Sequence, residues 1–497
     1  MRTSISYATT QVAATSAVIG SGAAHPIARP RGVALGVIAA LVFGLMTLAG
    51  VAPPAASAAP PLPENDPFYT APPGFEEAEP GTILRSRPVT VAALNLFPIR
   101  VRAWQLLYRT TDFHNQPYTS VTTVMVPDGP ARPRPLLSYQ TAVDAIAGMC
   151  SASYSLQQGS PIDFGNPAGP LTAGAGAAEI LLAASGLARG WAVSIPDQGG
   201  TQHRFATPRE PGYVVLDGIR AAEQFDPLGL DGTRTPVTLW GYSGGGIATA
   251  WTAEMQPEYA PELNIVGAAV GAPVADLFGG LKAVNGGLLG GLIPIAVAAI
   301  AKDSPEFAAA VDRYMSPEGQ ALVADVPGRC TSQTALNTTL RELLRHFSLP
   351  DVTRYLSVSL DELLQDPVIR TAIEERTLGR RAPSAPVYLY NNVNDEVSTA
   401  AGADALANSY CAAGTSVTSR RDQFPPVVSP HVNFAVMGAP DAFNWLAARV
   451  EGQPAQPGCD IRTVPSTLLD GAAIGTLGSS VGAALSAMLG LPLGAGR

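Results

Sequence analysis

The chain has 497 residues, 46% hydrophobic and only 14% charged, which is ample for one large core with insertions or for two domains. A formal net charge of −9 argues against nucleic acid as a partner, since phosphate binding needs a basic surface. Glycine (50) and proline (45) exceed ordinary usage but stay below the level of low-complexity sequence, so a folded chain is expected.

Arg29 and Arg31 precede an apolar run from Val33 to Val51, and Ala56-Ser57-Ala58 follows it. Positive flank, apolar stretch and small-residue cleavage site are the layout of an export signal. Residues 1–58 therefore read as a signal peptide with an extended N-terminal region, and the protein as secreted. An N-terminal membrane anchor is the alternative, because the run is nearly long enough to span a bilayer. Four cysteines, Cys150, Cys330, Cys411 and Cys459, fit an exported protein with two disulfides and three possible pairings. No CxxC pair or Cys/His cluster is present, so neither a structural zinc nor another metal is expected.

Residues 59–81 form a Pro-rich arm. From Thr82 short β-type runs begin. RAWQLLYRT and TSVTTVMVP flank the turn DFHNQ and predict an antiparallel hairpin. PLLSYQ (135–140) and WAVSIPD (191–197) are further strands, with a helix between them through AAEILLAASGLARG. VVLDGIRAAEQF repeats its apolar residues near every 3.6 and predicts another helix. PVTLW (236–240) is a buried strand running into GYSGGG and the helix IATAWTAEM, and NIVGAAVGAPVA is the next strand. Strands alternating with helices after an antiparallel start indicate a mainly parallel sheet with helices on both faces.

The first part of this α/β core spans 82–275. Residues 276–381 carry helical pattern without a convincing strand, and read as a helical cap inserted into the core. Ser304-Pro305 and Ser316-Pro317 each set a capping hydroxyl before a proline at the first helical position. Within the cap, Gly286 to Ala301 is very apolar, and would either line an acyl-chain pocket or pack as core. The core resumes at APVYLYNN and spans 382–460. Residues 461–497 are an apolar Gly/Ala-rich extension, too rich in glycine for a transmembrane helix and expected to pack on the surface or stay disordered.

Gly241-Tyr242-Ser243-Gly244-Gly245 matches GxSxG between a strand and a helix, the setting of a nucleophile elbow. A serine hydroxyl attacks only when a base takes its proton. Of the five histidines, His25 lies in the export segment, His114 in the hairpin turn, His203 before the nucleophile and His346 inside the cap. His431, in SPHVNF, alone follows a late strand on a loop, where the chain order Ser, acid, His requires the base. Asp395 ends the strand APVYLYNN and is the acid that would orient the imidazole, with Glu396 beside it as runner-up. For the oxyanion, the N–H of Gly244 is one expected donor. The second should come from the loop after PLLSYQ, where Gln140, Thr141 and Ala142 are candidates and Thr141 is preferred, with Gln140 and Asp144 read as braces.

The run VTLWGYSGGGIATAWTAEMQPEYAPELNIVGAAVGAPVADL resembles the secretory lipases of the lipase-A type, in the α/β-hydrolase superfamily. So do SYQTAVDA, LDGIRAAEQF and YNNVNDEVS before SPHVNF. The resemblance extends from about Pro67 to Asp460. It implies an α/β-hydrolase fold with the triad Ser243, Asp395 and His431, a helical cap over the active site and two disulfides. Asn391-Asn392 departs from the His-Gly common in the family's acid segment, while Asp395 keeps its place. We expect the pairs Cys150–Cys330 and Cys411–Cys459. The expected activity is hydrolysis of medium- or long-chain carboxylic esters without a cofactor, on a small-molecule or lipid substrate and with transient contact to a lipid interface. An esterase, acyltransferase or serine peptidase on the same fold is the alternative, and an inactive binding protein the remote one.

Overall fold

The computed structural model describes residues 59–129, 133–160, 175–425 and 429–494. The expected leader lies outside them. Ten strands form one sheet: β1 (Ile83–Pro88), β2 (Arg102–Thr111), β3 (Pro117–Val126), β4 (Leu136–Gln140), β5 (Ala192–Pro196), β6 (Val237–Tyr242), β7 (Ile265–Gly271), β8 (Val387–Asn392), β9 (Val417–Asp422) and β10 (Cys459–Val464). Their spatial order is β1-β2-β3-β5-β4-β6-β7-β8-β9-β10. β1, β2 and β3 pair antiparallel, and β3 meets β5 antiparallel. From β5 to β10 every pairing is parallel.

The hairpin forms where alternating β-formers flank DFHNQ, with Arg102 opposite Val126 and Thr111 opposite Pro117. Asp112 closes its turn by accepting the N–H groups of His114 (2.9 Å) and Gln116 (2.8 Å). The central strands β4, β5 and β6 are buried along their whole length, as expected of parallel strands covered on both faces. One face packs Tyr108, Leu216, Ile219 and Trp251 beneath the helices Glu210–Glu223 and Gly244–Tyr259. The other packs Tyr139, Ile180, Trp240 and Phe443 beneath Ala175–Ala188 and Ala439–Val450.

Between β7 and β8 the chain runs through a series of helices, including Leu277–Val284, Leu292–Asp303, Pro305–Tyr314, Pro317–Ala324, Thr331–His346 and Pro367–Glu374. Both Ser-Pro starts form as predicted, Ser304 Oγ accepting from Phe307 N (3.2 Å) and Ser316 Oγ from Gly319 N (3.3 Å). These helices carry their own apolar cluster of Ile300, Phe307, Val311, Ile369 and Ile373. β9 and β10 extend the sheet beyond the strands expected from sequence, and β10 runs across the 460/461 boundary. The apolar tail also has a definite form. Residues Ala473–Met488 make a helix packed on Ala175–Ala188, with Ser185 and Ser480 hydroxyls 3.0 Å apart. Among the described residues no helix is long and apolar enough to cross a membrane.

The cysteines pair as Cys150–Cys330 and Cys411–Cys459, with Cα separations of 5.4 and 5.9 Å. The first ties the loop after β4 to the start of the helix Thr331–His346. The second ties the helix Ala400–Ala412 to β10.

Candidate active site

Parallel strands deliver their C-terminal ends to one edge of the sheet, and ligand sites collect there. β6 ends at Tyr242, and Ser243 follows with φ 56° and ψ −123°, a left-handed conformation rarely held by a non-glycine residue. Such strain costs about 1–3 kcal/mol and persists only where surrounding structure enforces it. Here the enforcement is the tight strand-to-helix bend. A Cβ at Gly245 would overlap the carbonyl oxygen of Gln140, so β4 packs against the elbow only because that position is glycine.

β8 ends at Asn392, and the turn after it holds Asp395. Asn391 donates to Ser398 O (2.8 Å) and Asn392 to Phe424 O (3.0 Å), so the two asparagines brace the turn from either side. Asp395 Oδ1 accepts the N–H groups of Val397 (2.9 Å) and Ser398 (2.7 Å). Ser429 caps the helix Pro430–Met437, which places His431 in its first turn. Tyr242, the variable residue of GxSxG, donates its hydroxyl to the backbone oxygen of His431 (2.8 Å).

These elements bring Ser243, His431 and Asp395 into one line. His431 Nδ1 lies 2.9 Å from both Asp395 oxygens, and Nε2 lies 2.7 Å from Ser243 Oγ. With the proton on Nδ1 donated to Asp395, Nε2 is left to accept from the serine hydroxyl. Burial disfavours the imidazolium, yet the charge and hydrogen bond of Asp395, helped by Glu396 and Asp144, outweigh it and hold the His431 pKa above its ordinary value. Glu396 does not reach the ring. Its carboxylate accepts the hydroxyl of Ser429 and the backbone N–H of His431 (3.1 Å), bracing the helix start.

The loop after β4 carries the candidates for the second oxyanion donor. Thr141 is fully buried, its carbonyl accepts from Gln198 (3.0 Å) and Val143 (2.9 Å), and it does not line the cavity above Ser243. Gln140 is spent on Ser138 and Thr249, and the Ala142 N–H donates to Glu179 (3.0 Å). Burial pushes that Glu179 carboxyl up to about 8. Asp144 is the loop residue that faces the cavity beside Ser243 and Gly244. Its carboxylate sits where a Cβ on Gly244 would project, its Oδ1 has no hydrogen-bond partner among the described residues, and burial raises its pKa to about 6 against the lowering charge of His431. The only hint in the sequence was an acid set among the apolar residues Val143, Ala145 and Ile146.

The cavity has about 1050 Å³ of empty volume, its open mouth included, and its remaining walls are almost wholly apolar. The helices between β7 and β8 supply Leu277, Leu281, Leu292, Ile293, Val297 and Ile300, so the Gly286–Ala301 run does line the space over Ser243. A second apolar cavity among these helices shares Leu281, Ile293, Val297, Phe307 and Ile373 with the first. Among the described residues no group of His, Cys, Asp and Glu could hold a metal ion.

The chain is similar to known lipases over most of its length. The chain is 34% identical to lipase A of Arthroderma benhamiae over 445 residues, 89% of this chain and 91% of that protein. It is 33% identical to a secreted triacylglycerol lipase of Malassezia globosa, covering 80% of this chain and 83% of the relative. It is also 41% identical over 395 residues to a Mycobacterium tuberculosis protein named a probable inactive lipase, covering 79% and 83%. Candida antarctica lipase A in its closed state superposes with a TM-score of 0.71 at 25% identity, over 88% of this chain and 99% of that one. The secretory lipase family profile matches residues 168–458. The chain belongs to the secretory lipase family, a serine ester hydrolase on the α/β-hydrolase fold.

Proposed function

We propose that the protein is an exported lipase that hydrolyses medium- and long-chain acyl esters through Ser243, His431 and Asp395. The observation that carries the reading is the 2.7 Å approach of Ser243 Oγ to an imidazole whose other nitrogen is held by a buried carboxylate. Ser243 Oγ attacks the ester carbonyl carbon while His431 Nε2 takes the hydroxyl proton. The carbonyl oxygen becomes an oxyanion beside Gly244, which opens a helix whose first N–H groups lack intrahelical acceptors. In this reading the protonated Asp144 carboxyl, which lines the cavity and whose pKa burial raises to about 6, donates its O–H as the second oxyanion group. His431 then returns the proton to the leaving alcohol oxygen. Water, deprotonated by the same nitrogen, attacks the acyl-enzyme and releases the acid.

The acyl length is argued from the cavity. An ester of a short acid needs only an open cleft, whereas two apolar cavities with shared walls continue away from Ser243 into the helices of 276–381. Those helices act as the cap over the site. Export is supported by the family and by the leader-like residues 1–58.

The test is a p-nitrophenyl ester series from acetate to palmitate on purified protein beside Ser243→Ala. Turnover should rise with chain length, and Ser243→Ala should lower it by about 10⁴- to 10⁶-fold with the fold intact. Retention of a tenth of the activity would remove Ser243 as nucleophile. A wild-type chain without turnover at any length would place the protein beside the relative named inactive.

A further inference from the structure

The cavity above Ser243 carries charged or hydroxyl-bearing side chains at only two places among the described residues. One is the reacting end, with Ser243 and Asp144. The other holds Thr207 and Arg376, which take no part in the triad or the oxyanion. Both are almost fully buried, Thr207 at 3% and Arg376 at 7% exposure.

Their position follows from the helix that opens at Gly244. Ile247 and Trp251 succeed Ser243 at intervals of four residues along it, on one side, and both line the cavity. At a rise of about 1.5 Å per residue, Trp251 stands roughly 12 Å from the nucleophile. Trp251 also borders an outer pocket with Pro208 and Glu375, the chain neighbours of Thr207 and Arg376. The polar pair therefore sits at the Trp251 end of the cavity, away from the reacting atoms.

Arg376 is an anchored cation without a close counter-ion. Its Nε donates to Ala206 O and its Nη1 to Ala372 O, which joins the end of the helix Pro367–Glu374 to the segment before Thr207. These bonds fix the guanidinium plane and leave Nη2 without a hydrogen bond among the described residues. The nearby acids are spent elsewhere, since Asp303 pairs with Arg204 (3.2 Å) and Glu375 is exposed in the outer pocket. Burial accordingly pulls the Arg376 pKa below its ordinary value, against the raising charges of Glu375 and Asp303. The Thr207 hydroxyl is buried too, with no partner among the described residues. A cation and a hydroxyl held out of water unpaired cost free energy that an acceptor on a ligand recovers. Guanidinium N–H groups beside a hydroxyl suit a carboxylate, which brings two acceptor oxygens and the opposite charge.

We propose that Arg376 and Thr207 form a specificity subsite that receives a carboxylate at the far end of the acyl chain, so that esters of long dicarboxylic acids are preferred substrates. An extended chain of roughly ten carbons spans the distance from Ser243. The proposal rests on the Ser243 reading only for which end of the ligand reacts, and binding is also measured without turnover so that the two can fail separately.

In the first measurement, the mono-p-nitrophenyl esters of hexanedioic and decanedioic acid are compared with p-nitrophenyl hexanoate and decanoate. The kcat/KM ratio of carboxy-ended to plain ester should be about tenfold or more higher at decanoyl than at hexanoyl length, where the charge stops among apolar walls. Arg376→Gln should cut the decanoyl ratio about tenfold and Thr207→Val about threefold. A ratio taken on one preparation cancels any loss of folded protein. In the second, monomethyl decanedioate is titrated calorimetrically into Ser243→Ala, which lacks the nucleophile. It should bind, and adding Arg376→Gln should weaken Kd about tenfold. The proposal is overturned if the wild-type ratio does not rise with length, or if the monoester does not bind. It is equally overturned if Arg376→Gln leaves the ratio or the Kd unchanged, the result for a guanidinium that serves only as an anchor. A chain that turns over no ester, yet binds the monoester through Arg376, would sink the lipase reading and keep the subsite. Should Arg376→Gln fail to fold, Thr207→Val in both measurements decides between the same outcomes.

Discussion

Two adjacent acids, Asp395 and Glu396, have different neighbours, and the difference is chemical. Asp395 meets the imidazole and two backbone N–H groups, whereas Glu396 meets a cap hydroxyl and one backbone N–H. Asp395→Asn should lower kcat by about 10⁴-fold, since the amide cannot hold the required tautomer. Glu396→Gln should lower Tm by a few degrees while kcat stays within about tenfold, because it loosens a helix start rather than the ring. Steady-state kinetics and thermal melts of both variants check this, and exchanged outcomes would make Glu396 the acid. Asp144 acts on the same imidazole from the cavity side. Turnover needs neutral His431, whose pKa is raised, so kcat/KM should climb with pH through a value above 6.5. Where Asp144 is ionised its charge contributes to that elevation, so Asp144→Asn should move the acid limb to lower pH. A pH–rate profile whose acid limb stays in place would mean that Asp144 is not coupled to His431.

Elements turn these residues into a site because they are fastened at particular points. The loop after β4 carries Asp144, and three contacts fix it: Glu179 on Ala142, Thr331 on Val143 and Asp144, and the Cys150–Cys330 bond. The other disulfide sits at the edge strand β10, away from that loop. On chain-entropy grounds the bonds contribute about 5 and 4 kcal/mol, for sequence separations of 180 and 48 residues. Paired serine replacements should therefore both lower Tm. Only the Cys150/Cys330 pair should also lower kcat at temperatures where the protein stays folded. Equal kcat losses for the two pairs would show that neither bond acts through the loop after β4.

At the scale of the whole molecule, the helices between β7 and β8 roof the sheet edge and give it a water-poor apolar cavity. Leu292 is a wall residue of that cavity and not of the deeper one. Leu292→Arg should spare acetate and butyrate esters and depress octanoate and longer ones progressively. Each methylene excluded from an apolar channel forfeits about 0.8 kcal/mol. A chain-length series on this variant reads the effect directly, and a uniform loss at all lengths in a folded protein would place the acyl chain elsewhere.

Local chemistry was legible wherever a residue type is demanded by its immediate neighbours. The elbow needs glycines around Ser243, Ser304 and Ser316 are caps because proline follows them, and five histidines leave one in the required chain order. β9 and β10 were not legible, because VTSRRD and CDIRTV are largely polar, and the β9 arginines are satisfied sideways: Arg420 by Asp460 (2.8 Å) and Arg421 by Asp404 (3.1 Å). The tail helix was obscured by glycines at 475, 478 and 482, and it forms against Ala175–Ala188 rather than from its own propensity. Tertiary structure alone decided that Asp144, and not Thr141, lines the cavity. Which residue of a loop turns toward a cavity depends on what holds the loop from behind. Here that is Gln198, Glu179 and Thr331, which are 57, 37 and 187 residues distant from their partners in the chain and carry no local signal at the loop itself.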